Sequence, residues 1–204
     1  MITGTMPGKK PQEKKKRSTK EHLFEAAMSL IGERGYGGAS VDAIAQKAGV
    51  AKGVVYYYFD SKAALAEQLI ASGLGMLAER LERAVSEDMS PEKALLALAR
   101  EQIKQIDKRR DFAKFLLSEM WHEDREWQET LNACIGRITG IFAAQIKRGI
   151  DEGVFNPQED VDFLAQLIFA TFLSAALNRT VLQPDLPQDE LAERLNNYVL
   201  AGLR

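Results

Sequence analysis

The sequence predicts an all-α chain, a short N-terminal three-helix unit followed by a larger helical domain. Three observations predict it. Apolar residues recur at three- and four-residue spacing through most of the 204 residues, as one face of an α-helix requires. No segment alternates apolar and polar residues with the period of two that a half-buried strand shows. Ser, Asp, Gly and Pro fall at the ends of the periodic segments, where helix caps and breaks belong.

Residues 1–16 are rich in Lys, Pro and Gln and poor in hydrophobes, so they read as a disordered arm. The arm is either a solvated tail or a segment that touches nucleic acid. Helix one is expected from Ser18, where "STKE" fits a capping box closed by Glu21. Leu23, Phe24, Ala27, Leu30 and Ile31 form its apolar face, and Gly35 to Gly38 stop it. Ser40 caps a short second helix, Val41 to Ala48, with an apolar stripe of Val41, Ile44, Ala45 and Ala48. Gly49 supplies the positive φ that a tight turn demands. A third helix covers Lys52 to Phe59, and a fourth runs from Lys62 to about Val85 with Leu65, Leu69, Ile70, Leu77 and Leu81 inward.

Ser90 and Pro91 open a fifth helix, Pro91 standing at the first helical position where a missing amide costs nothing. "DFAKFLLSEMWHE" follows, then a long helix from about Arg125 to Glu152, broken at Gly153 and Pro157. The last two helices are expected at about Val161 to Leu182 and Leu186 to Leu203.

Composition narrows the function classes. Apolar residues make up 46% and charged residues 27%, the balance of a soluble globular protein. The N-terminal "MITGTMPGKKPQEKKKR" lacks the apolar core of a secretory signal. The apolar run Phe163 to Leu177 includes Gln166, Thr171 and Ser174 and falls short of the ~18 apolar residues of a bilayer span. No membrane partner is expected, and the single Cys134 favours a reducing, cytoplasmic setting. His122 with Glu119, Glu123 and Glu126 imitates a metal cluster, but an acidic solvated surface is the simpler reading. The chain has no nucleophile and base pair, no glycine-rich phosphate loop and no spaced metal ligands. Neither an enzyme nor a cofactor or metal is implied.

Net charge is −2, unevenly placed. Residues 1–62 hold eleven Lys/Arg against six Asp/Glu, whereas residues 63–204 hold sixteen against twenty-three. The basic end points to an anionic partner. Two short helices joined by a Gly-containing turn over residues 40–59 suit a helix-turn-helix, whose second helix enters the major groove of DNA.

The run "GGASVDAIAQKAGVAKGVVYYYFDSKAALAEQLI", Gly37 to Ile70, resembles the DNA-binding domain of TetR-family transcriptional regulators. It matches the family pattern at Ile44, Ala45, Ala48, Gly49, Val50, Gly53, Tyr56, Phe59, Lys62 and Leu65. The resemblance implies a DNA-binding domain at 17–77 and a helical effector-binding and dimerisation domain at 78–204. It also implies base-reading positions at Lys52, Gly53 and Val54, and phosphate-contacting positions at Ser40, Val41 and Lys62. Lysine at a helix start opposes the macrodipole, which makes more sense with a phosphate nearby. Two departures stand out: Ala51 replaces a common Ser and removes a side-chain cap, and Val54 replaces a common Thr.

At about 100° per residue, Val55 and Phe59 share the core face of the third helix, with Gly53, Tyr56 and Tyr57 opposite. Tyr56 and Tyr57 fit phosphate contacts, a phenol donating to an anionic oxygen while its ring packs on sugar. Tyr58 lies on the flank as a brace, so the three tyrosines are not a stack.

Phe112, Phe115, Met120, Trp121, Trp127, Phe142, Phe169 and Phe172 are the candidates for lining a pocket, each open to the alternative of ordinary core. Asn132, Asn178 and Arg179 are candidate polar anchors. The resulting expectation is a repressor, dimeric through its last two helices, released from a near-palindromic double-stranded DNA operator by a small hydrophobic or aromatic effector. The alternatives are a transcriptional activator, or a helical binding module without DNA function.

Overall fold

A computed structural model describes residues 11–119, 122 and 125–204, and every regular element among them is a helix. The elements are α1 (Pro11–Gly38), α2 (Val41–Lys47), α3 (Lys52–Tyr58), α4 (Lys62–Ala84), α5 (Pro91–Lys108), α6 (Arg110–Glu119), α7 (Gln128–Asp151), α8 (Val161–Leu182) and α9 (Gln188–Leu203). They form two compact units, divided within α4 after Leu65.

In the N-terminal unit, Leu23, Ala27, Leu30 and Ile31 of α1 are buried together with Ile44 and Ala45 of α2 and Val55 of α3. Each large aliphatic side chain withdrawn from water in this way is worth roughly 1.5–3 kcal/mol. The first helix already includes Pro11, the first described residue, so Ser18 lies inside it and does not start it. Regular geometry breaks at Gly35, whose φ of 70° and ψ of 167° suit a residue without Cβ. Residues 1–10 lie outside the described residues.

The second unit is organised around α5, whose Leu95, Leu98, Ala99, Ile103 and Ile106 are buried. This helix touches α6, α7, α8 and α9. Ser90 caps it as expected, accepting from the Lys93 amide at 3.4 Å. α7 begins at Gln128, three residues after the expected Arg125, and α9 at Gln188 instead of Leu186. The second shift follows from Pro187, held extended at φ −60° and ψ 145° as N-cap; the ring that fixes its φ suits it to precede a helix.

α8 corrects another expectation. Its stretch Val161–Arg179 is long and apolar enough to span a bilayer by length and composition. Here it packs against α5, α6, α7 and α9, burying Ala165, Phe172 and Ala176, as the central helix of a folded domain does. Its other face carries the exposed side chains of Phe163 and Leu167.

Candidate nucleic-acid interface and effector pocket

Local sequence builds the interface. The Ser40 hydroxyl accepts from the Ala43 amide at 3.1 Å and starts α2. Gly49 takes φ 69° in the turn, and the Val50 amide closes it onto the Ala45 carbonyl at 3.0 Å. α3 then begins at Ala51 without a side-chain cap, an omission that typically costs about 1 kcal/mol.

α3 divides by angle as the helical wheel requires. Val55 and Phe59 are 1% and 2% exposed, and the Phe59 ring lies 5.5 Å from that of Phe24 on α1. On the opposite side Gly53 is exposed, with Tyr56 at 48% and Tyr57 at 66%. Tyr58 is half-buried and meets the Tyr57 ring edge-on, centroids 5.1 Å apart at 87°. The tyrosines are therefore in contact, though not stacked face to face.

The lysines are held by carboxylates. Lys52 Nζ donates to Asp42 Oδ2 at 2.8 Å, and this bond holds the Lys52 ammonium above its usual pKa. Lys47 Nζ donates to Glu33 Oε1 at 2.8 Å; hydrogen bonds from Lys47 and then Ser29 hold the Glu33 carboxyl below the ordinary range. Both pairs are solvent-exposed, so they are weak enough for a competing phosphate to displace.

Lys62 has a partner within the protein that the sequence did not suggest. Its ammonium donates to the carbonyl oxygen of Tyr36 and stands 4.0 Å above the centroid of the Tyr36 ring. The partner that makes a lysine tolerable at the start of α4 lies inside the domain. Ser40, Val41, Lys52, Gly53 and Val54 remain at or near the surface on the first turns of α2 and α3.

In the second unit, Gly73, Leu74, Met76 and Leu77 of α4 line a pocket with residues of α5, α6 and α8. Of the predicted lining residues, Phe112 and Phe169 are there. Phe115, Trp127, Phe142 and Phe172 are instead buried core. Phe142 and Phe172 pack edge-on across α7 and α8 at 6.0 Å, and such large rings fill the interior where helices meet. Met120 and Trp121 lie outside the described residues.

The predicted polar anchors also lie elsewhere. Asn132 is exposed and accepts from Gln128, while Asn178 is exposed and donates to Ser174 Oγ at 3.3 Å. Arg179 pairs with the nearly buried Asp107 and donates to the Leu186 carbonyl at 2.9 Å. Glu119, read as solvated acidic surface, is 3% exposed and accepts from Arg125 Nε at 2.8 Å. His122 is exposed, and no metal-holding cluster occurs among the described residues. Half-buried Cys134 has its thiol pKa raised by burial.

Sequence reasoning missed Gly73, Gln102 and Arg109, all of which line the pocket. Two signals were present. A glycine inside a helix costs about 1 kcal/mol relative to alanine and so calls for a packing reason. A Cβ on Gly73 would lie 2.2–2.8 Å from atoms of the Phe112 ring. Gln102 falls on the buried stripe of α5, four residues after Leu98, and is fully buried. Its Nε2 donates to the Phe169 carbonyl at 3.0 Å, while its Oε1 has no protein partner. The cavity holds about 40 Å³, room for a few water molecules.

These two constellations agree with the relationships of the chain. Residues 23–69 match the family described as "Bacterial regulatory proteins, tetR family", and residues 70–199 match "YsiA-like protein, C-terminal region". The "Fatty acid metabolism regulator protein" of Bacillus subtilis is 27% identical over 158 residues, covering 78% of this chain and 81% of the relative. The "HTH-type transcriptional repressor KstR2" of Mycobacterium tuberculosis is 27% identical over 161 residues, covering 74% and 76%. The solved FadR of Bacillus subtilis in complex with stearoyl-CoA superposes with a TM-score of 0.80 at 22% identity, over 90% of this chain and 99% of that one. FadR of Bacillus halodurans gives 0.81 at 24% identity, over 97% and 99%. With both its helix-turn-helix segment and its helical C-terminal region matched, the chain belongs to the TetR family of DNA-binding transcriptional regulators.

Proposed function

We propose that the protein is a cytoplasmic, homodimeric repressor that leaves a near-palindromic operator when an aliphatic acyl compound enters the pocket of its second unit. The observation that carries this reading is the composition of α4. One helix supplies Lys62 to the N-terminal unit and the wall residues Gly73, Leu74, Met76 and Leu77 to the pocket. A guest that displaces Phe112 from Gly73 acts directly on that helix, and through it on α3. The apolar wall of Leu74, Leu77, Ile106, Ala113, Leu116 and Leu173 suits an alkyl chain. The names of the relatives, a fatty acid metabolism regulator and a FadR bound to stearoyl-CoA, support the same class of effector.

Against DNA, Lys52, Gly53 and Val54 are assigned to base edges, and Ser40, Val41, Tyr56 and Tyr57 to phosphates. A two-fold dimer through α8 and α9 sets two α3 helices about one DNA turn apart. The test is fluorescence anisotropy of the full chain on duplexes tiled across the DNA flanking its own gene. Salt-sensitive binding to one near-palindrome, reversed by long-chain acyl compounds, is expected. Specific binding that no acyl compound alters would overturn the effector assignment, and no specific binding would overturn the operator assignment.

A further inference from the structure

The pocket wall is apolar except at a few positions, of which Arg109 is the charged one. Arg109 ends α5 as its C-cap, its amide donating to the Gln105 and Ile106 carbonyls at 3.1 and 3.2 Å. Its guanidinium donates to the thioether of Met76 at 3.2 Å, and a thioether is a weak acceptor that brings no charge. Arg179 and Arg125 show the contrast: each half-buried or buried arginine meets a carboxylate, Asp107 and Glu119 respectively. Among the described residues none stands within ion-pair distance of Arg109.

The charged neighbour it has is a second cation. Burial, and then the nearby Arg80, push the Arg109 pKa down. Arg80 lies one turn beyond Met76 on α4, and its nearest carboxylate, Glu101, is 3.9 Å away and shared with Lys104 and Gln105. A half-buried guanidinium without a counter-ion, beside another arginine, is costly to the free protein. An anion arriving with the guest removes that cost and gains charge-assisted hydrogen bonds.

We propose that Arg109, with Arg80 beside it, is the docking point for an anionic head on the effector, so that the pocket selects acyl chains bearing a carboxylate or phosphate over neutral ones of equal length. This rests on the acyl-effector reading above and adds the polar half of the ligand. The chain lies among the apolar residues of α4, α5, α6 and α8, and the head stays at the end of α5. A guanidinium stays protonated at neutral pH even with its pKa lowered, so Arg109 is charged and ready for it. One shared chemistry, an anion on an alkyl chain, covers both a free fatty acid and the phosphates of an acyl-CoA.

The experiment is calorimetric titration of the full-length protein with lauric acid, lauroyl-CoA, and two neutral probes, methyl laurate and lauroyl-pantetheine. The wild type should bind at least one anionic probe about tenfold or more tightly than its neutral counterpart, a difference of one charged hydrogen-bonded contact. Arg109→Gln should remove that preference while leaving the neutral probes unchanged, and Arg109→Lys should restore part of it. Dependence on Arg109 for lauric acid alone identifies a carboxylate as the head; dependence for lauroyl-CoA alone identifies the phosphates. Equal weakening of all four probes, no effect of Arg109→Gln, or no preference in the wild type would each overturn the proposal. If none of the four binds a protein that still binds its operator, the acyl-effector reading falls and takes this assignment with it.

Discussion

The ammonium of Lys62 is bound to the carbonyl oxygen and held over the ring of Tyr36, 26 residues earlier in the chain. One side chain thereby ties the start of α4 to the end of α1, where Gly35 interrupts the regular geometry and the Tyr36 carbonyl also accepts from the Ala39 amide at 3.3 Å. A charged hydrogen bond and a cation–π contact at a half-buried site together contribute about 1–2 kcal/mol.

Lys62→Met should accordingly lower the denaturant midpoint by an amount corresponding to about 1–2 kcal/mol. Under conditions where the domain is still folded, the salt dependence of operator binding should be unchanged. Loss of stability with an intact salt slope supports the internal role. A salt slope reduced by about 1, with no change in stability, would return Lys62 to the phosphate-contacting role that resemblance assigns it.

Asp42 governs Lys52 in the same unit. The pair is exposed on both sides, and under the proposed base-edge role of Lys52 the carboxylate is DNA's competitor for the one lysine at the start of α3. Asp42→Asn should free Lys52 and raise operator affinity several-fold at low salt, with the gain fading as salt rises. Lys52→Gln should lower affinity about tenfold and relax preference at the base pairs it faces. Binding assays on the operator and on single-base variants separate these outcomes. A uniform loss across all sequences would make Lys52 a phosphate contact.

Much of the geometry of the candidate interface was legible in sequence because it is local. α3 is short and regular, so 100° per residue places Tyr56 and Tyr57 outward and Val55 and Phe59 inward without any tertiary knowledge. Gly49 announced its positive φ through the turn it occupies. The contact of Lys62 with Tyr36 was not legible because the partner is a carbonyl 26 residues away, and no periodicity reports such a contact. The pocket was less legible for the same reason. Large aromatics mark cores in general, and Phe142, Phe172 and Trp127 went to well-packed interior. The pocket forms where four helices leave a gap, among small and medium residues such as Gly73, Ala113 and Leu116.

Gly73 and Phe112 supply a stability test of that gap. With Phe112 present, Gly73→Ala sets a methyl within 2.2–2.8 Å of the ring and should destabilise the protein by about 1–2 kcal/mol. In the Phe112→Ala background the methyl meets no ring, and the same substitution should stabilise by about 0.5–1 kcal/mol through helix propensity. Denaturation of the two single variants and the double variant completes the cycle. A Gly73→Ala effect of the same sign and size in both backgrounds would show that the ring does not rest on α4.

The exposed face of α8 predicts the assembly. Phe163 and Leu167 stand 53% and 51% exposed one turn apart, and Tyr198 of α9 is 81% exposed. Large apolar side chains left exposed on two helices that touch are the kind of surface that a second subunit covers. Leu167→Asp combined with Tyr198→Glu places two charges in the proposed subunit contact, and burying an uncompensated charge costs several kcal/mol. Light scattering should find the wild type dimeric and the double variant monomeric, and the wild-type melting temperature alone should rise with concentration. The monomer keeps its α3 intact, so it should bind a single half-site weakly and lose the affinity gained from engaging both. A double variant that remains dimeric would place the subunit contact on another face.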